Sequence, residues 1–271
     1  MTRSGRRSTT TANPPPGGGF AVVVVAAGSG TRLGHGIPKA LVPLAGRPLL
    51  EHALRGVGDS GVADVVLVTV PAGDTELAAI ARAHGARPVV GGASRAESVR
   101  RALAALEGTV PASAGVLVHD AARCLTPPAV FRTVAEHVRG GARAVVPVLP
   151  VVDTVRRVDD AGRSLGTVDR TALRAVQTPQ GFDLALLRAV DAAAQAAGTD
   201  PETVTDDASL VEAHAPAVPV LTVPGHEHAF KVTRPLDLVL AEAVLRERAA
   251  GTPPAGGPDR PAPDPRGALH P

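Results

Sequence analysis

From Phe20 onward, apolar runs rich in valine alternate with segments whose apolar residues recur every three to four positions. The runs at 20–25, 64–70, 86–90, 115–119 and 142–148 are nearly continuous in Val, Leu and Ala, which predicts strands covered on both faces. Segments 48–58, 74–84, 94–106, 127–139 and 183–197 carry the helical period. Ser94 with Glu97 three residues later is a capping-box pattern, and Pro127 suits a first helical position. Strand and helix in alternation predict an α/β fold, a mostly parallel sheet with right-handed crossovers and helices on its faces.

One segment breaks the alternation. Residues 151–158 and 164–170 read as polar-alternating strands joined by Asp159-Asp160-Ala161-Gly162, a good hairpin turn. A two-stranded ribbon is marginal by itself and needs a partner surface. An arm exchanged within a homodimer would supply one, and so would folding back onto its own domain; the pattern does not choose between them. Residues 1–18 and the proline-rich stretch 251–271 hold too little apolar surface to order themselves, so both are expected to be disordered appendages. They frame one domain over 19–250, with the β-arm at about 150–171.

Composition narrows the function classes. The 271-residue chain has a formal charge of +2, and without the charged residues of its two ends the body falls to −1. That body lacks the broad positive field of a general nucleic-acid binder, and four Phe as the whole aromatic complement make stacking platforms scarce. An anion site must therefore be local. Cys124 is the single cysteine, which excludes an intramolecular disulfide and a thiolate-rich zinc site. No apolar run approaches the ~20 residues of a membrane span, and no apolar segment of signal-peptide type precedes the prolines at 14–16. The expectation is a soluble, cytoplasmic protein with neither membrane nor nucleic acid as partner.

In an open parallel sheet, ligands bind beyond the carboxyl ends of the strands. The first strand runs directly into Ala26-Ala27-Gly28-Ser29-Gly30-Thr31-Arg32-Leu33. Glycines there let backbone N–H groups converge on phosphate oxygens, and Arg32 adds a fixed cation. The loop completes neither a dinucleotide fingerprint, because Leu33 takes the third glycine position, nor a P-loop; a plain tight turn fits the spacing too. Lysine usage sharpens the picture. Lys39 and Lys231 are the only lysines among 28 basic residues, so arginine is the default cation of this chain. A retained ammonium can approach one oxygen of a reacting phosphate as a point charge. His119-Asp120-Ala121-Ala122-Arg123 ends the fourth strand, where Asp120 can hold Mg²⁺ or simply cap a helix. His119 reads as a packed strand residue and Cys124 as inert. Gly91-Gly92 with Ser94 and Ser98 opens a helix and suits either a base edge or an ordinary cap. Thr205-Asp206-Asp207-Ala208-Ser209 reads as a capped helix start, outside the chemistry.

Together these segments resemble, in order over about residues 20–249, the 2-C-methyl-D-erythritol 4-phosphate cytidylyltransferase family. The matching motifs are Ala26-Ala27-Gly28-x-Gly30-x-Arg32, Pro38-Lys39, Gly91-Gly92-x-x-Arg95-x-x-Ser98-Val99, His119-Asp120-Ala121-Ala122-Arg123, Val168-Asp169-Arg170, Thr178-Pro179-Gln180, Thr205-Asp206-Asp207-Ala208-Ser209 and Lys231-Val232-Thr233-Arg234-Pro235. The resemblance implies a Rossmann-like nucleotidyltransferase sheet, with CTP and a polyol phosphate as substrates and Mg²⁺ as cofactor. It implies catalytic roles for Arg32, Lys39 and Lys231. It puts Ala26, Ala27, Gly28, Gly30, Gly92, Ser98 and Asp120 around CTP, with Asp120 as metal ligand. Thr154, Arg170 and Thr178 would bind methylerythritol phosphate, the first two by way of a β-arm exchanged in a homodimer. A ribitol-5-phosphate cytidylyltransferase is the nearest alternative, and a non-catalytic nucleotide-binding regulator the alternative of another class. The chain departs from the family pattern at Ala40 and Leu41 after the Pro-Lys pair, at Cys124, and at Ala229-Phe230 before the second lysine.

Overall fold

A computed structural model describes residues 19–28, 37–111 and 114–251. In chain order it contains β1 (Phe20–Val25), a small ribbon of β2 (Pro43–Leu44) and β3 (Arg47–Pro48), α1 (Leu49–Ser60), β4 (Ala63–Val70), α2 (Thr75–Ala83), β5 (Arg87–Val90), α3 (Arg95–Ala105), β6 (Gly115–Asp120), α4 (Pro128–Arg139) and β7 (Ala144–Pro150). The second half holds β8 (Arg156–Val158), β9 (Ser164–Thr167), β10 (Arg174–Val176), β11 (Gln180–Asp183), α5 (Leu184–Ala196), α6 (Asp207–His214), β12 (Val220–Pro224) and α7 (Pro235–Ala249).

The five predicted strands and five predicted helices all form, with ends shifted by up to two residues. Pro127 is the residue before the first turn of α4, and Pro128 takes the first helical position. Ser94 caps α3 as expected, accepting from Glu97 N, but Glu97 returns its bond to Ala93 N rather than to Ser94 N.

The main sheet runs β12–β7–β11–β6–β1–β4–β5, with β10 continuing along the β11 edge of β7. Pairs β1–β4, β1–β6, β4–β5 and β7–β12 are parallel, while β10 and β11 run antiparallel to their neighbours. The sequence pattern gave no sign of β10, β11 or β12. Their lengths of three to five residues leave little period to detect, and β11 (Gln-Gly-Phe-Asp) is wholly buried despite its polar residues. What defines such strands is the free hydrogen-bonding edge of β6 and β7 beside them.

β1 shows why the sheet is doubly covered. Phe20, Val22 and Val24 pack with residues of α1, α2 and α4, while Ala21 and Val23 pack with residues of α3, α5 and α6. Alternate residues of one strand thus serve two cores. A third, smaller core joins Val42, Leu44, Leu49, Leu125 and Val232 to Ala241 and Val244 of α7.

The arm is a separate two-stranded sheet, β8–β9, shorter than predicted. Its turn has the expected chemistry: Gly162 sits at φ +76°, and the Asp159 carboxylate accepts from Ala161 N and Arg163 N. The arm residues Val152, Val158 and Leu165 are exposed, at 78%, 60% and 64%. The hairpin therefore is not folded back onto its own domain.

Candidate active site

The carboxyl ends of β1, β5 and β6 open onto one cleft of about 420 Å³. Its floor is the backbone at Ala26, Ala27 and Gly28, which leaves β1 after Ala26 N has bonded to Thr69 O at 3.1 Å. A second wall comes from the turn after β5. Gly91 N reaches Val70 O at 2.8 Å, and Gly92 N donates to Ser98 Oγ at 3.0 Å. A Cβ on Gly91 would lie 2.4 Å from the Ala27 Cβ and 2.9 Å from Ser98 Oγ. Only a residue without a side chain lets the two walls approach this closely.

Both lysines line this cleft. Lys39 begins a 3₁₀ turn, Lys39–Leu41, whose Ala40 is buried in the core against α1. Lys231 arrives from the far end of the chain and is held by ties on either side. Arg123 donates to Ala229 O at 2.8 Å, and Val232 N donates to Ala122 O at 2.8 Å. Lys231 Nζ then lies 2.8 Å from Asp120 Oδ2, at the end of β6.

Asp120 is the junction of a charge network. Its other oxygen accepts from Arg95 Nε at 3.0 Å, and Arg95 Nη2 reaches Asp207 Oδ2 at 2.8 Å. Burial opposes ionisation of Asp120, but Arg95 and Lys231 outweigh it and hold the carboxyl well below the usual carboxylate range. Burial alone would lower Arg95, yet Asp207 and Asp120 reverse the direction and keep it charged. Asp207 is 1% exposed, and its burial pushes the carboxyl up despite Arg95. Beneath Asp120, Thr178 Oγ1 accepts from Asp120 N at 3.0 Å and lies 3.0 Å from His119 Nδ1. His119 is fully buried against Phe131, and burial lowers it to about 4, so it stays neutral at pH 7.

Ala26, Ala27, Gly28, Gly92, Ser98, Asp120, Lys39 and Lys231 are therefore gathered round one cavity, as are Arg95 and Thr233, which the sequence reading did not assign. Arg95 was visible as the arginine of the Gly91-Gly92 motif, but nothing in one dimension shows that it meets two carboxylates from distant segments. Gly30 and Arg32 lie outside the described residues. Thr178 is buried behind Asp120 rather than lining the cleft. Thr154 and Arg170 are exposed on the arm and do not line the cleft of their own chain. Cys124 is buried, and burial pushes its thiol up to about 12, which leaves no thiolate to react.

Among the described residues no group of three or more His, Cys, Asp or Glu could enclose a metal, and Asp120 is the one carboxylate on the cleft wall. That suits Mg²⁺, which binds through one or two carboxylates and completes its shell with phosphates and water. Two ionised oxygens offer about four lone-pair sites, and Arg95 and Lys231 take one each. No helix among the described residues is long and apolar enough to cross a membrane.

The family model for 2-C-methyl-D-erythritol 4-phosphate cytidylyltransferase matches residues 20–247. The enzyme of that name from Saccharopolyspora erythraea is 53% identical over 224 residues, covering 81% of this chain and 96% of the relative. The one from Nocardia farcinica is 51% identical over 226 residues, covering 83% and 93%. The crystal structure of the Thermus thermophilus enzyme is 40% identical, with a TM-score of 0.67 over 83% of this chain and 98% of its own.

Proposed function

Because this chain belongs to the 2-C-methyl-D-erythritol 4-phosphate cytidylyltransferase family, we propose that it transfers the cytidylyl group of CTP to methylerythritol phosphate. The products are 4-diphosphocytidyl-2-C-methyl-D-erythritol and pyrophosphate, a step of isoprenoid biosynthesis. The observation that carries this reading is the meeting of Lys39, Lys231 and Asp120 on one glycine-floored cleft.

The chemical problem is to bring a phosphate dianion against a triphosphate. An oxygen of the polyol phosphate forms a bond to the α-phosphorus as the bond from that phosphorus to the β-phosphate bridging oxygen breaks. A phosphate oxygen is already a nucleophile at neutral pH, so the site needs no general base. It has to cancel repulsion and stabilise the charge that builds on the α-phosphate. Lys39 supplies one ammonium from the lining of the cleft. Lys231 supplies the other, oriented by Asp120 and by the ties at Ala229 and Val232. Arg32 follows the same loop in sequence and would add a third cation. The backbone at Ala26–Gly28 and the turn at Gly92, steadied by Ser98, would cradle the triphosphate and read the base. Bound at Asp120, Mg²⁺ would neutralise phosphate charge.

Thr154 and Arg170 belong to this reading through a second copy of the chain. The arm is exposed and paired only with itself, so in a homodimer it can extend to the neighbouring cleft and carry both residues to the methylerythritol phosphate there. Thr178 acts from behind, fixing the Asp120 backbone.

Pyrophosphate release tests the proposal. CTP with methylerythritol phosphate and Mg²⁺ should turn over; ribitol 5-phosphate in its place, UTP, dTTP or GTP for CTP, or omission of the metal should each reduce the rate sharply. Equal turnover with ribitol 5-phosphate would move the assignment to the ribitol enzyme, and silence with every pair would leave a nucleotide-binding regulator.

A further inference from the structure

Asp207 is a buried acid that the mechanism does not use. It opens α6, on the opposite face of the sheet from α1, and is 1% exposed. Its place is closely determined. Gln180 Oε1 accepts from both Asp207 N and Ala208 N at 3.1 Å, and Gln180 Nε2 donates to Asp206 at 2.8 Å. Asp206, not Asp207, caps the helix by accepting from Ser209 N at 3.0 Å. The side chain of Asp207 is thereby released from capping, and its oxygen meets Arg95 Nη2 instead.

The consequence lies in how a guanidinium shares its donors. Beside a lone carboxylate, arginine prefers two parallel bonds to both oxygens. Here Asp207 draws off one side of the fork, so Arg95 gives Asp120 a single bond, Nε to Oδ1 at 3.0 Å. Oδ2 is left for Lys231, at 2.8 Å. Four groups alternate in sign from α6 to the cleft: Asp207, Arg95, Asp120, Lys231.

The geometry points to Asp207 as a positioning residue for the transfer reaction, holding Arg95 to one oxygen of Asp120 so that the other orients Lys231. It touches no substrate; it acts through Arg95. Without the Asp207 charge, Arg95 is free to take both oxygens of Asp120 and to compete with Lys231 at Oδ2, so Lys231 is held less firmly. This rests on the proposed function, since it assigns Lys231 a role there.

The test is a double-mutant cycle on kcat with the full chain, CTP and methylerythritol phosphate. Asp207→Ala should lower kcat about tenfold to a hundredfold, the scale of losses when a catalytic group shifts by about 1 Å. In a Lys231→Ala background the same change should lower kcat by no more than about twofold, because the group it positions is already gone. Asp191→Asn is the control: it neutralises another buried acid, one that pairs with Arg100 at 3.2 Å, away from the cleft. It should lower the melting temperature and leave kcat within about twofold of wild type. If Asp207→Ala fails to fold, Asp207→Asn keeps the shape and enters the same cycle. A loss of kcat that is the same size with and without Lys231, or no loss in a folded variant, overturns the inference. Absence of turnover in the wild-type chain would instead overturn the proposed function.

Discussion

Replacing Arg95 by methionine should destabilise the protein in a way that acid partly repairs. One guanidinium serves two buried carboxylates, at 3.0 Å and 2.8 Å, and its side chain is only 20% exposed. Removing one partner of a buried ion pair costs roughly 3–5 kcal/mol, because a charge is left without compensation. Lys231 stays with Asp120, so the lower end applies, about 3 kcal/mol. For a domain of this size that is about 6–12 °C in Tm. The pH dependence follows from the two carboxyls. In the wild type Asp120 lies below its unfolded value, so its contribution is present above the unfolded pKa and is lost as pH falls through the folded one. In Arg95→Met the burial of Asp120 and Asp207 is less opposed, so both carboxyls rise. A carboxyl whose folded pKa is higher in the variant than in the wild type favours the variant at low pH, and that advantage is lost as pH increases. The gap in Tm between variant and wild type should therefore narrow as pH is lowered from 7.5 towards the carboxylate range. Differential scanning calorimetry across that range decides it. A Tm loss under about 2 °C, or a gap that stays constant with pH, would refute the reasoning.

Three further outcomes are expected. Lys39→Ala should lower kcat about 10²–10³-fold, the worth of one preorganised donor, with the fold intact by circular dichroism. Gly91→Ala forces a methyl to within 2.4 Å of the Ala27 Cβ, so a stability loss of about 1–3 kcal/mol and a raised KM for CTP should appear together in denaturation and steady-state assays. Mixing Lys39→Ala with Arg170→Ala, each nearly inactive alone, should restore about a quarter of wild-type activity after subunit exchange, since half of the dimers then hold one complete site. No recovery would mean that the arm does not act across subunits.

The framework of the molecule was legible because its strands are buried on both faces and valine-rich, and its helices long enough to show their period. The hairpin turn could be read for a similar reason: Asp159 and Gly162 have local tasks that their residue types reveal. The site was legible in part. Lys39 and Lys231 were singled out by their scarcity, and both line the cleft, although 191 residues separate them along the chain. Arg95 and Asp207 were not assigned, because their roles are set by partners brought together only by the sheet order. Asp206-Asp207 reads as a helix start, and it is one; that only the first of the pair caps, leaving the second for Arg95, depends on Gln180 from β11, a strand too short to announce itself.

The small third core reaches further than its size suggests. Phe230 and Val232, on either side of Lys231, rest against the same apolar cluster as Val42 and Leu44, which follow Lys39, and α7 closes that cluster from outside. Lys231 thus rides on that cluster, moored by the last helix, while Lys39 spans it and the large core around β1 that holds Ala40. Loosening that mooring would disarm Lys231 while the central sheet stayed whole, so heat inactivation should run ahead of the loss of secondary structure.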